Sequence, residues 1–107
     1  LDLNADITLT EGQEFITTDV ITGNLNSIII ESPDKVDIII TSEHGYPILK
    51  SLQFQGIKCF APRNRTTSSE EHIMDVNQFD KFLLNERIEI IITGPKNSTV
   101  RMILRTE

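Results

Sequence analysis

The side chains with chemistry to offer are His44, His72, Cys59 and a few serines, and their spacing decides what they can do. Glu70-Glu71-His72 holds three potential metal ligands, but adjacent residues on an extended chain point apart. No second His or Cys pair completes a ligand spacing, and His44 lies several predicted strands away. No metal and no cofactor is expected. Ser68-Ser69 lacks the G-x-S-x-G context that presents a nucleophile on a sharp turn, and no Gly-rich phosphate loop occurs. The chain therefore reads as a non-enzymatic protein with no catalytic residues. Cys59 stands alone, which excludes an intramolecular disulfide and fits assembly in a reducing compartment. Within Ile57-Lys58-Cys59-Phe60 it reads as a small buried hydrophobe rather than a reactive thiol. Asn64-Arg65-Thr66 and Asn97-Ser98-Thr99 match the glycosylation sequon and read as chance matches in loops.

Contact chemistry is better represented. Arg63 to Glu71 contains no hydrophobic residue, which predicts one long polar loop of the kind that often makes contacts in a small domain. Arg63, Asn64, Arg65, Glu70 and Glu71 are its candidate contact residues, since arginine suits interface ion pairs. The charge is uneven: residues 1–54 carry nine acids and two bases, residues 55–107 seven acids and eight bases, for a net charge of −6. An acidic total argues against nucleic-acid or anionic-membrane binding. The asymmetry suits one copy docking on another, although solvated loops would produce it too.

The elements that must position these residues are strands. At 107 residues, with 38% hydrophobic and 24% charged, the chain fits a single soluble domain over residues 1–107. The longest apolar run is three residues, so no membrane span is expected, and no signal-peptide pattern opens the chain. Its first residue, Leu1, fits numbering that starts after processing or after a disordered segment. Ile28-Ile29-Ile30 and Ile38-Ile39-Ile40 favour strands because isoleucine is stiff at χ1 and packs well on a pleated surface. Ser32-Pro33-Asp34-Lys35 between them suits a type I turn and predicts a central antiparallel hairpin. Ile88–Ile92 and Val100–Leu104, joined through Gly94–Ser98, predict a second. Shorter strands are expected at Ile7–Thr10, Glu14–Thr22, Ile48–Phe54 and Ile57–Phe60; Ile73–Leu84 fits one helical turn or a strand edge. About eight short strands with regular turns predict an all-β antiparallel sandwich, jelly-roll-like in arrangement.

Alternation puts Ile28, Ile30, Val36, Ile38, Ile40, Ile88, Ile90, Ile92, Val100, Met102 and Leu104 inside. It leaves Ile29, Ile39, Ile91 and Ile103 on faces that should be polar. Another segment of the same chain covers them, or they form a subunit interface, or they stay scattered singly.

Phe79 to Glu86, then Arg87 to Gly94, then Asn97 to Leu104 resembles the ending of small tailed-phage virion proteins. Thr8-Leu9-Thr10-Glu11-Gly12-Gln13 and Gly23-Asn24-Leu25 are similar to their openings, so the resemblance covers about half the chain. It implies a structural protein of the virion, assembled in the host cytoplasm: a capsid decoration or head-associated subunit acting by oligomerisation and adhesion. The implied partners are further copies of the chain and other virion proteins, such as the major capsid or head–tail proteins. The alternative is a host-surface or glycan-binding jelly-roll module, with Tyr46 and the polar loops as its contact surface.

Overall fold

The computed structural model describes residues 2–65 and 79–107. Nine strands and no helix occur among them: β1 (Asp2–Thr8), β2 (Gln13–Thr17), β3 (Ile21–Ser42), β4 (Pro47–Phe60), β5 (Asn64–Arg65), β6 (Phe79–Asp80), β7 (Leu83–Glu86), β8 (Ile88–Thr93) and β9 (Thr99–Thr106). Every pairing is antiparallel, so the all-β class read from the sequence is the class the chain has. Seven strands make one sheet in the order β1-β9-β3-β8-β2, with β4 and β7 also on β3, while β5 and β6 pair separately.

The sheet is organised by one long strand. β3 runs 22 residues without reversing, and β4 follows it for 14. The sequence reading placed a hairpin turn at Ser32–Lys35; the structure instead carries the strand through that point as a corner. Its first part, Leu25–Glu31, pairs with β9, and its second part, Asp37–Ser42, pairs with β8. The turn-forming residues still act locally. The Ser32 hydroxyl donates to the Asp34 carbonyl at 2.6 Å, and the ladder with β4 shifts register between Ser32 and Val36. Asp34 is held from across the corner by the Ser98 hydroxyl at 2.7 Å, and the Gln55 amide donates to the Pro33 carbonyl at 2.8 Å. Bending rather than reversing lets each isoleucine run pair on both sides instead of pairing with the other.

The true reversal comes at Glu43–Tyr46, where Gly45 takes a φ of 93° and its N–H donates to the Ser42 carbonyl at 2.9 Å. The expected second hairpin is also a corner. β8 pairs with β2 and β3, and β9 with β1 and β3, but never with each other. Gly94 starts that corner because nothing larger fits: a Cβ there would lie 2.6 Å from Val36 Cγ1 and 3.2 Å from Leu9 Cδ1. The connection from β1 to β2 lies beside it, with the Gly94 N–H donating to the Gly12 carbonyl at 2.9 Å.

Two halves result, enclosing one core. The first contains β1, β9, the first part of β3 and the end of β4; the second contains β2, β8, the rest of β3 and the start of β4. Every residue that alternation placed inside is buried, from Ile28, Ile30, Ile38 and Ile40 to Val100, Met102 and Leu104. Ile57, expected in a short strand of its own, belongs to β4 and is 72% exposed. Phe82 and Leu84 are buried around an exposed Leu83, which is strand alternation; Ile73 and Val76 lie outside the described residues.

Candidate functional site

Residues paired in register share a face of the sheet, so the ladders decide which outward side chains meet. Ile39 is opposite Ile91, Ile91 is opposite Phe15, and Lys50 closes the row beyond Ile39. On the other half, Ile29 is opposite Ile103, with Cys59 beyond Ile29 and Asn4 beyond Ile103. The four outward isoleucines are thus two pairs, one on the outer face of each half, rather than one patch. All four are half-buried. Phe15, at 58% exposure, extends the second-half row and escaped the sequence reading. The threonine-rich stretch around it lacks the alternation that would have fixed its face. Cys59 is exposed, not the buried hydrophobe expected, because its register partner Ile29 faces outward.

The expected contact loop is only partly described. Arg63 is committed to its own chain: its guanidinium donates to the Asn26 carbonyl at 3.1 Å and the Pro62 carbonyl at 2.8 Å. Asn64 and Arg65 form β5 against Phe79 and Asp80, while Glu70, Glu71 and His72 lie outside the described residues. The charge asymmetry between chain segments is partly settled within the fold. Asp6 pairs with Arg101 at 3.2 Å, Glu31 with Arg101 at 4.0 Å, and Asp19 with Arg87 at 3.7 Å.

Two features emerge that the sequence did not signal. The first is an apolar cleft of about 510 Å³ between β1 and β2, the two strands that end the ladder order. Leu3, Ala5, Ile16, Val20 and Leu104 are among its walls. The core is open along this side.

The second lies at the β3–β4 turn. Glu86, last residue of β7, is buried at 5% exposure. Its carboxylate accepts from the Ser42 hydroxyl at 2.9 Å and from the Tyr46 hydroxyl. Tyr46 stacks on Phe82, with ring centroids 6.0 Å apart and planes within 3°. Burial, and after it the hydrogen bond to Glu86, push the Tyr46 hydroxyl above the ordinary tyrosine pKa. Ser42 also accepts from the His44 N–H at 2.8 Å, which fixes the turn that carries Glu43 and His44. The His44 Nε2 lies 3.5 Å from Glu86 Oε2 and 3.8 Å from Glu43 Oε1.

No family model matches this sequence, and no curated protein is significantly similar to it.

Proposed function

We propose that this chain is a non-enzymatic structural subunit that works by self-association and adhesion, in the manner of a capsid decoration or head-associated protein of a tailed phage. The observation that carries the reading is the Phe15–Ile91–Ile39 row on a face that solvent would normally keep polar. Its surroundings have the anatomy of a protein contact. The neighbouring outward positions are Gln13, Thr93 and Asp37 on one side and Thr17, Glu89 and Thr41 on the other, a polar rim about an apolar centre. Burying each large apolar side chain gains about 1.5–3 kcal/mol when it was fully exposed, so a half-covered row retains part of that drive.

A second copy suits this row. Laid antiparallel about a two-fold axis, the row sets isoleucine against isoleucine and brings Lys50 of one copy over the Phe15 ring of the other, a cation on an aromatic face. The Ile29–Ile103 pair and the strand edges at β1 and β2 remain for contacts to other proteins of the shell. The glycan-binding alternative draws less support, since Tyr46 spends its hydroxyl on Glu86 and stacks its ring on Phe82.

The test is the solution mass by light scattering after gel filtration, over a concentration series. The native chain should form a discrete oligomer. Ile39→Asp should shift it to monomer, while Ile103→Asp should leave the oligomer formed. A native chain that is monomeric throughout, or an oligomer indifferent to Ile39→Asp, would remove the support for self-association through this row.

A further inference from the structure

We infer that Glu43, His44 and Glu86 form a binding site for a zinc-class divalent cation at the junction of the β3–β4 turn and the β7–β8 link. One ligand atom from each of the three lies within 4.8 Å of the others. In a tetrahedral zinc site, with ligand bonds near 2.1 Å, neighbouring ligand atoms stand about 3.4 Å apart. The observed separations of 3.5 Å and 3.8 Å from His44 Nε2 to the two carboxylates approach that spacing without rearrangement of the backbone. His44 keeps 70% of its side chain exposed, so a fourth position remains open to water.

Glu86 supplies an independent argument. A buried charge is normally paired with a base or coordinated to a metal. Asp6 has Arg101, Asp19 has Arg87 and Glu107 has Lys81, whereas the acids with no base among the described residues, such as Glu11 and Glu14, are not buried as Glu86 is. Among the described residues, no lysine or arginine pairs with Glu86 or Glu43, although Glu86 is the most buried acid of the set. Arg87, next in sequence, turns its guanidinium away to the Thr18 carbonyl and offers Glu43 only its backbone N–H. Among the described residues, two carboxylates therefore converge on one imidazole with no lysine or arginine paired to either.

The surroundings are also those of a held ligand set. Ser42 and Tyr46 orient the Glu86 carboxylate as outer-shell donors orient metal ligands, and the Tyr46–Phe82 stack holds the tyrosine in turn. The imidazole nitrogen selects the class: zinc and its transition-metal neighbours accept it, whereas calcium and magnesium prefer oxygen alone. A bound ion would add a fastening between the turn and the β7–β8 link to the Glu43–Arg87 bonds and the Ser42 and Tyr46 bonds to Glu86. The inference is independent of the self-association proposed above, because these residues lie off both apolar rows.

The experiment is isothermal titration of the chelator-stripped full-length chain with zinc chloride, alongside thermal melting. One zinc per chain should bind, and the melting temperature should rise with it. His44→Ala, a change at an exposed side chain, should weaken binding by more than the roughly tenfold that loss of an outer-shell partner alone costs. Glu43→Gln should weaken it as well, and His72→Ala should leave it unchanged. Cobalt(II) in place of zinc should give a visible absorption band that His44→Ala abolishes. Absence of stoichiometric binding would overturn the inference, as would binding that survives His44→Ala but not His72→Ala. Equal competition from calcium would overturn the zinc-class assignment.

Discussion

The two halves of the sheet share a core but present different outer surfaces. In the first, the Ile29–Ile103 pair sits next to a charged row in which Arg101 bridges Asp6 and Glu31. In the second, Phe15, Ile91 and Ile39 lie across three neighbouring strands between mostly uncharged rims. Similar alternation made both. The difference lies in what was placed at the outward positions of the edge strands: Asn4 and Asp6 on β1, Phe15 on β2. A charged outer row keeps a sheet face wet, while an aromatic at the equivalent depth makes a face that loses less by being covered. The second half is therefore the better candidate for a permanent contact.

That comparison requires the halves to differ only on the outside. Ile30 and Ile40 are both fully buried, one in each half. Truncating either to alanine should cost about 2–5 kcal/mol, measured by denaturant unfolding, because each opens a cavity in the same core. The two costs should agree within about 1 kcal/mol, less than the spread such truncations show among sites. A far smaller loss for Ile30→Ala would mean that the first half is loosely packed and that its outer face is not the only thing setting it apart.

The corner that joins the halves comes next. Gly94→Ala pushes a methyl group against Val36 and Leu9, with the Lys35 carbonyl 3.3 Å away as well. Such overpacking should cost about 1–3 kcal/mol. Val36→Ala in the same chain should recover part of that loss by vacating the site the new methyl meets. If the double variant is no better than the sum of its parts, the corner is not set by this contact.

The charged row of the first half should matter least to folding. The Asp6–Arg101 pair is more than half exposed on both sides, so Asp6→Asn should change stability by less than about 1 kcal/mol, with the difference fading in high salt. A larger loss would show that the row does more than keep its face wet.

What the sequence disclosed and what it withheld follow one physical division. Alternation is local, so Ile28, Ile30, Ile38, Ile40 and the C-terminal set were placed correctly, and their outward neighbours with them. Whether a turn signal reverses the chain or bends it is not local. Ser32-Pro33-Asp34-Lys35 has the residues of a reversal, yet the strand goes on because β8, β9 and β4 lie beside it, and those pairings span up to 81 residues. The buried-carboxylate cluster was hidden for the same reason. His44 and Glu43 are adjacent, but Glu86 reaches them from 42 residues further along, and no spacing rule connects them. Phe15 was missed because Thr17, Thr18 and Thr22 blur the apolar–polar alternation around it.

The smallest expected effect is a titration read on the unaltered chain, and it probes the turn of the second half. Tyr46 is the only tyrosine, so its ionisation can be followed by ultraviolet absorbance without overlap. In the folded chain its midpoint should lie above the ordinary value near 10, because burial first and the Glu86 hydrogen bond second disfavour the phenolate. In denaturant the midpoint should return to that value. The sign of the linkage follows: a folded-state pKa raised above the unfolded one contributes stability that is complete below pH about 10 and is lost as pH rises through the folded value. Tyr46→Phe removes the titration, so the stability gap between native chain and variant should narrow across that window. Glu86→Gln should lower the folded midpoint only in part, since it removes the carboxylate charge and leaves the burial. A midpoint already ordinary in the folded native chain would mean that neither the burial of Tyr46 nor its contact with Glu86 persists in solution, leaving the turn to its backbone bonds and the Ser42 hydroxyl.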